Sequence, residues 1–303
     1  MRYHNSMKRI YSRDIDEVDL LSNNAGNDRP LRLLYAGDDD IDRAAGYFAC
    51  VMHDLGWEID YICSEELPPS ELCDPAALSR YDLIVLSDFG PDENHSPFME
   101  AIASAHHRGV PFLMIGGWGS FCGDNNWYLG NPGADILPVD LRRGDDRVNH
   151  WQGIALSPAP DAPPALADLP WDRPPLVAGC NRLIPGRNSR VLLTGAPLQL
   201  GPGGTPATAE GEPEPPLPLL IRRDRSWALA FDLAPHWIAG MVDWGNERRS
   251  LELGRAEYLP GSEERGVFPA ARKLGVEVGN YYIAFIRNLI EMIMEGNDGR
   301  YHK

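Results

Sequence analysis

The chain has 303 residues, a formal net charge of −16 and a 43% apolar fraction. That is enough apolar material for one large α/β domain with additions, or two modest domains. The acidity excludes nucleic acid as an expected partner, because phosphate contacts need clustered Lys and Arg and the longest such run is a pair.

No stretch approaches the ~20 apolar residues of a membrane span, and residues 1–30 lack the apolar segment of a secretory signal. Cys50, Cys63, Cys73, Cys122 and Cys180 are odd in number, widely spaced and without a CxxC pair, so reduced thiols and a cytoplasmic location are expected. The histidines show no ligand spacing either, and no structural metal or other cofactor is expected.

Residues 1–30 read as a flexible polar leader, and βα alternation begins after it. Leu31–Ala36 predicts a strand, Gly37-Asp38-Asp39-Asp40 its turn, and residues 41–55 a helix on Ala45, Phe48, Ala49, Met52 and Leu55. Trp57–Cys63 is a second strand. Asp82–Ser87 is almost continuously apolar, the pattern of a strand buried on both faces. A helix over Phe98–Arg108 and a strand over Pro111–Ile115 follow. Repeated units of this kind predict a doubly wound parallel sheet.

The second half is less regular. Residues 157–175 and 201–218 are rich in Pro, Ala or Gly and read as irregular insertions. Arg190–Thr194, Leu217–Arg222 and Trp227–Phe231 predict strands, and Val278–Met294 a helix carrying Tyr282, Ile283, Ile286, Ile290 and Ile293 as an apolar stripe that should pack on the sheet. One domain is expected over 31–296, with a tail at 297–303.

The fourth strand runs into Gly116-Gly117-Trp118-Gly119-Ser120-Phe121-Cys122. This glycine-rich turn is placed at the carboxyl edge of the sheet, where open α/β folds put their chemistry. Together with Tyr81–Asp88, with Asp135–Val139 and Asp145-Asp146-Arg147-Val148, and with Ala228–Trp237, the chain resembles the putative glutamine amidotransferase family of the class I glutamine amidotransferase-like superfamily. The resemblance covers about residues 31–294. It implies a flavodoxin-like doubly wound parallel sheet with a β-rich C-terminal supplement.

Working class I amidotransferases carry Gly-x-Cys-x-Gly on this turn, with a Cys nucleophile, a His base and a Glu that orients it. The resemblance places Trp118 at the nucleophile position, and an indole cannot attack an amide. It places His236 at the base, with Ile238 where the carboxylate of His-x-Glu would stand; Asp232 and Asp243 are substitute carboxylates. Two readings follow. In the first, the protein lacks the glutaminase triad and acts as a small-molecule-binding or assembly module, with Gly116, Gly117, Trp118, Phe121, Asp88, Asp232 and Trp237 as the ligand-binding set. In the second it is an unorthodox amide hydrolase using His236 with Ser120 or Cys122. The first is favoured, because nucleophile and carboxylate are both replaced.

Two further features belong to the same sheet end. Asp38, Asp39 and Asp88 follow neighbouring strands in a flavodoxin-like order and form a weaker, alternative Mg²⁺ constellation, although an aspartate in the first of these turns also suits a helix cap. Trp118, Phe121, Trp127, Tyr128 and Trp237 would line an apolar wall there, or plug it. The sequence names neither a ligand nor an oligomeric state.

Overall fold

The computed structural model describes residues 8–10, 29–39, 44–64, 66–199, 215–233, 235–253, 256–258 and 274–295. Most of the expected leader, the 200–214 stretch and the tail lie outside the described residues.

In chain order the strands are β1 (Lys8–Ile10), β2 (Arg32–Gly37), β3 (Glu58–Ile62), β4 (Leu83–Ser87), β5 (Phe112–Ile115), β6 (Arg147–Pro158), β7 (Leu176–Asn181), β8 (Arg190–Pro197), β9 (Leu217–Arg223), β10 (Ser226–Leu229), β11 (Arg248–Leu253), β12 (Ala256–Tyr258) and β13 (Leu274–Gly279). The helices are α1 (Gly46–Asp54), α2 (Pro75–Leu78), α3 (Ser96–His107), α4 (Pro164–Ala167), α5 (Pro235–Val242) and α6 (Asn280–Glu295).

Five parallel strands form the centre, in the order β3-β2-β4-β5-β10. Renumbered along the chain this is 2-1-3-4-5, the flavodoxin-like order, with the switch point between β2 and β4. β4 is buried along its whole length, as a central strand between two layers must be, and its neighbours are equally apolar. On α3 the buried Phe98, Met99, Ile102 and Ala105 recur at helical spacing, with a proline in the first turn. On α6 the expected stripe is buried, widened by Phe285, Leu289 and Met292. That width is explained by its neighbours: α6 lies beside α1, α4 and β13.

Beyond β10 the same sheet continues antiparallel through β9, β8, β6 and β7. The extra β structure is therefore divided. Most of it enters the chain before the last parallel strand, and among the described residues the two-stranded β11-β13 sheet and the edge strand β12 are C-terminal to it. On the opposite edge β1 pairs with β3 and β12.

Sequence patterning missed β6 and β7. Residues 150–153 of β6 face a single residue of β7, because the register shifts between Asn149 and Ile154. A run of Asn, His, Trp, Gln and Gly across such a bulge shows no alternation. The 157–175 stretch contains α4, which buries Leu166. Among the described residues no helix is long and apolar enough to cross a membrane.

Candidate functional site at the carboxyl edge of the sheet

Three strand ends meet through their backbones before any side chain is considered. Gly37, at φ 132°, ends β2 so close to β4 that a Cβ there would sit 1.6 Å from the Ser87 carbonyl oxygen. Only glycine permits that approach. The next two residues past these strand ends, Asp38 (φ 52°) and Asp88 (φ 48°), are left-handed without being glycine, a strained state that a surrounding network must hold. Asp38 N donates to the Ser87 carbonyl at 2.8 Å.

The Asp38 carboxyl accepts from the Tyr35 hydroxyl at 2.5 Å, and the Tyr61 hydroxyl donates to the Asp38 carbonyl at 3.0 Å. Asp232, which follows β10, is buried close by. Burial, and then the neighbouring charges of Asp232 and Asp88, push the Asp38 carboxyl well above its ordinary range. Burial likewise raises Tyr35, with Asp38 adding to the effect.

After β5 the glycine turn is held from three sides. Gly116 N donates to the Leu229 carbonyl at 2.7 Å. Asn181, at the end of β7 and fully buried, accepts from Gly117 N at 2.9 Å and donates to the Gly117 carbonyl at 3.1 Å. Its amide also donates to Asp146 at 2.8 Å, and Asp146 accepts from the backbone of Cys122 (3.0 Å) and Gly123 (2.9 Å). The Asp88 carboxylate accepts from the backbone N–H groups of Gly119 and Trp118. Burial raises both Asp88 and Asp146, and these donors oppose the rise.

Both candidate nucleophiles are engaged. Ser120 is buried; its hydroxyl donates to the Ile115 carbonyl at 2.6 Å and accepts from Asp88 N at 3.0 Å. It ties the turn to β4 and β5. Cys122 Sγ donates to the Arg142 carbonyl at 3.0 Å, and burial, followed by the charge of Asp146, pushes its thiol upward. A thiolate nucleophile needs the opposite shift.

The candidate base is carried on α5. His236 is exposed. Trp237, beside it, is buried with its indole against β7: a Cβ on Gly179 would lie 2.7 Å from the ring. Ile238 is buried too, and its backbone (φ −114°, ψ 19°) interrupts the helix. Asp243 is ion-paired with Arg248 at 2.8 Å.

Trp118 is 52% exposed, and the Arg147 guanidinium lies 4.1 Å from its ring centroid. Arg147 is in turn bound to Asp145 at 2.8 Å. Phe121 is buried in a left-handed conformation (φ 54°). Tyr128 is buried with its hydroxyl donating to the Phe89 carbonyl at 2.8 Å, and the half-buried Trp127 donates to Asp124 at 3.1 Å. Phe121 and Tyr128 are thus part of the core beneath the glycine turn, and Trp118 is exposed on it. Asp39 is exposed. Among the described residues no three His, Cys, Asp or Glu side chains are grouped so that they could hold a metal ion.

Patterning did not single out Asn181, Ser87 or Tyr35. Tyr35 and Ser87 lie inside strands read as apolar, and Asn181 ends a strand without alternation. Asp146 and Arg147 were within a motif, but their contacts with Asn181 and Trp118 span 35 and 29 residues and leave no local trace.

Two solved structures resemble this fold. The cytoplasmic protein STM1381 from Salmonella typhimurium LT2 matches with a TM-score of 0.53 at 23% identity, over 68% of this chain and 90% of that one. The cytoplasmic protein STM3548 from Salmonella typhimurium matches with a TM-score of 0.51 at 22% identity, over the same shares. No curated protein matches the sequence. Residues 37–251 match the family described as "Putative glutamine amidotransferase". That span runs from the Gly37 turn through the glycine turn to β11, and by it the chain belongs to the glutamine amidotransferase-like family.

Proposed function

We propose that this protein is a cytoplasmic member of the amidotransferase-like family that lacks the Cys-His-Glu glutaminase triad and uses the carboxyl edge of its sheet to bind a small molecule. The observation that carries this reading is the glycine turn itself. Trp118, which the resemblance sets at the nucleophile position, is 52% exposed, while the hydroxyl of Ser120 and the thiol of Cys122 are both committed to backbone carbonyls. Such bonds position a loop; they do not prepare an attack, which needs a base within hydrogen-bond reach of the nucleophile. His236 is exposed on α5 and Ile238 replaces the carboxylate that would orient it.

A binding role is supported by the glycine-lined switch point, by the strained Asp38 and Asp88, and by an exposed aromatic on the glycine turn. The cytoplasmic assignment is supported by five free cysteines and by the description of both structural neighbours as cytoplasmic proteins.

The test is glutamine turnover by the purified full-length chain, read as ammonia release. The expected result is no release above the protein-free control, unchanged in Cys122→Ala and Ser120→Ala. Turnover that either substitution abolishes would establish the hydrolase instead.

A further inference from the structure

At the amino-terminal end of the parallel strands, opposite the glycine turn, the arginines fall into two groups. Beside β2, β3 and β4 they are matched: Arg29 is bound to Asp82 at 2.9 Å and Arg32 to Asp60 at 3.0 Å. Beside β5, β9 and β10 they are not. Arg223, which ends β9, donates to the Asp135 backbone carbonyl at 3.1 Å rather than to a carboxylate. Arg225, in the turn to β10, is half-buried, and its Nε is buried without a hydrogen-bond partner among the described residues. Among those residues neither arginine forms an ion pair, and Asp224 between them meets Arg222 through its carbonyl at 3.0 Å.

A histidine from a different element converges on the same place. His106, in the last turn of α3, bonds through Nδ1 to the Val110 carbonyl at 3.0 Å and packs edge-on against Phe112 with centroids 6.3 Å apart. Phe112 N donates to the Arg225 carbonyl at 3.0 Å, and the Ser226 hydroxyl donates to the Ile136 carbonyl, so the β9–β10 turn is held against this helix end. Burial, and then the charges of His107, Arg225 and Arg223, hold the His106 imidazole below its ordinary range, against the Val110 bond. A helix C-terminus accounts for His106 and His107. It does not account for two arginines set against them, where like charges repel.

The chemistry of a complementary group follows. A carboxylate has one charge and two oxygens, and a single guanidinium fork satisfies it. An apolar group would leave the buried Arg225 Nε without a partner. An extended polyanion would leave these few cations and meet the field of a chain of net charge −16. A single phosphate group is compact, carries more charge than a carboxylate and presents several acceptor oxygens to donors arriving from different directions.

We propose that Arg223, Arg225 and His106 form a phosphate subsite at the amino-terminal edge of the sheet, taking inorganic phosphate or a small phosphomonoester. The guanidinium groups hold the oxygens, and His106, with Nδ1 engaged by Val110, offers Nε2.

The experiment is titration calorimetry of inorganic phosphate and, separately, methyl phosphate into the full-length protein at pH 7, with acetate at equal ionic strength as the control. At least one phosphate should bind saturably, and the tighter of the two tells free phosphate from a phosphomonoester; acetate should give no saturable heat. Arg223→Gln and Arg225→Gln should each weaken binding about tenfold, as loss of a charge-assisted bond requires, and Arg223→Gln stands as the test if the other variant does not fold. Arg190→Gln is the matched removal of charge. Arg190 pairs in register with Arg222, which alternates with Arg223, so it lies on the opposite face of the sheet and its loss should change affinity less than about twofold. No saturable binding of either phosphate, equal binding of acetate, affinity that survives Arg223→Gln, or an equal loss in Arg190→Gln would each overturn the proposal. The glycine turn lies at the other end of the sheet, so these outcomes are separate from glutamine turnover.

Discussion

Asn181 grips Gly117 from both sides of its peptide backbone, accepting from its N–H at 2.9 Å and donating to its carbonyl at 3.1 Å. One fully buried side chain on β7 thereby fixes the glycine turn that follows β5, and its third bond holds Asp146 against the Cys122 loop. The antiparallel extension thus braces the sheet edge at which the parallel strands end.

Asn181→Ala leaves the Gly117 N–H and carbonyl, and one side of Asp146, without partners in a buried place. Each loss of this kind costs about 1–3 kcal/mol. A total destabilisation of about 3–5 kcal/mol, toward the low end of that sum, is expected in urea unfolding, with Asn181→Asp little better because it loses the donor and adds a charge beside Asp146. A loss below about 1 kcal/mol for the alanine variant would show that the brace does not hold the turn.

Gly117→Ala should be comparably severe for a different reason. Gly117 has φ 151°, and an added Cβ would lie 2.7 Å from an Asp88 carboxylate oxygen. Strain and overpacking at a site held from two sides are expected to cost about 2–4 kcal/mol. Gly130→Ala is the useful comparison, since it has positive φ (84°) but nothing within 4 Å of its Cβ position. If the two variants lose equal stability, close packing against Asp88 contributes nothing.

The buried aspartates at the strand ends should make stability depend on pH. The Asp38 carboxyl, ordinarily near 3.8, is raised by burial and by Asp232 and Asp88, against the Tyr35 and Ser87 hydroxyls that face it. The folded state therefore holds its proton where the unfolded chain has released it. This contribution is fully present below about 3.8 and is lost as pH rises through the higher folded value. Relative to Asp38→Asn, the wild-type protein should gain stability as pH falls from 8 to 5, in paired urea titrations. A difference between the two that does not change with pH would contradict this. Asp38 and Asp232 interact, so the transition belongs to the pair.

Two tryptophans should respond to truncation to very different degrees. Trp118→Ala removes a 52% exposed indole and one contact with Arg147; an exposed cation–π pair contributes about 0.5–1 kcal/mol. Trp237→Ala removes a buried indole packed on Gly179, for which about 3–5 kcal/mol is expected. Thermal unfolding of both variants checks the contrast. A large loss for Trp118→Ala would assign that residue to packing rather than to an exposed role on the glycine turn.

The parallel half of the fold was legible in the sequence because its signals are local. Leu83–Ser87 is buried on both faces and shows it as an unbroken apolar run, and α3 repeats its apolar residues at helical spacing. The glycine turn announced itself in the same way, since close backbone approach admits only glycine at Gly37 and Gly116. By itself the sequence also determined that an indole occupies the turn and that Ile238 follows His236, as these are matters of identity. Only the tertiary structure decided which groups those residues meet. Asn181 reaches Gly117 across 64 residues, and Asp38 meets the charges of Asp88 and Asp232 because β4 lies beside β2 while β10 closes the parallel set. Hydrogen bonds and charge interactions depend on distances between strands brought together by folding, and no periodicity along the chain encodes them.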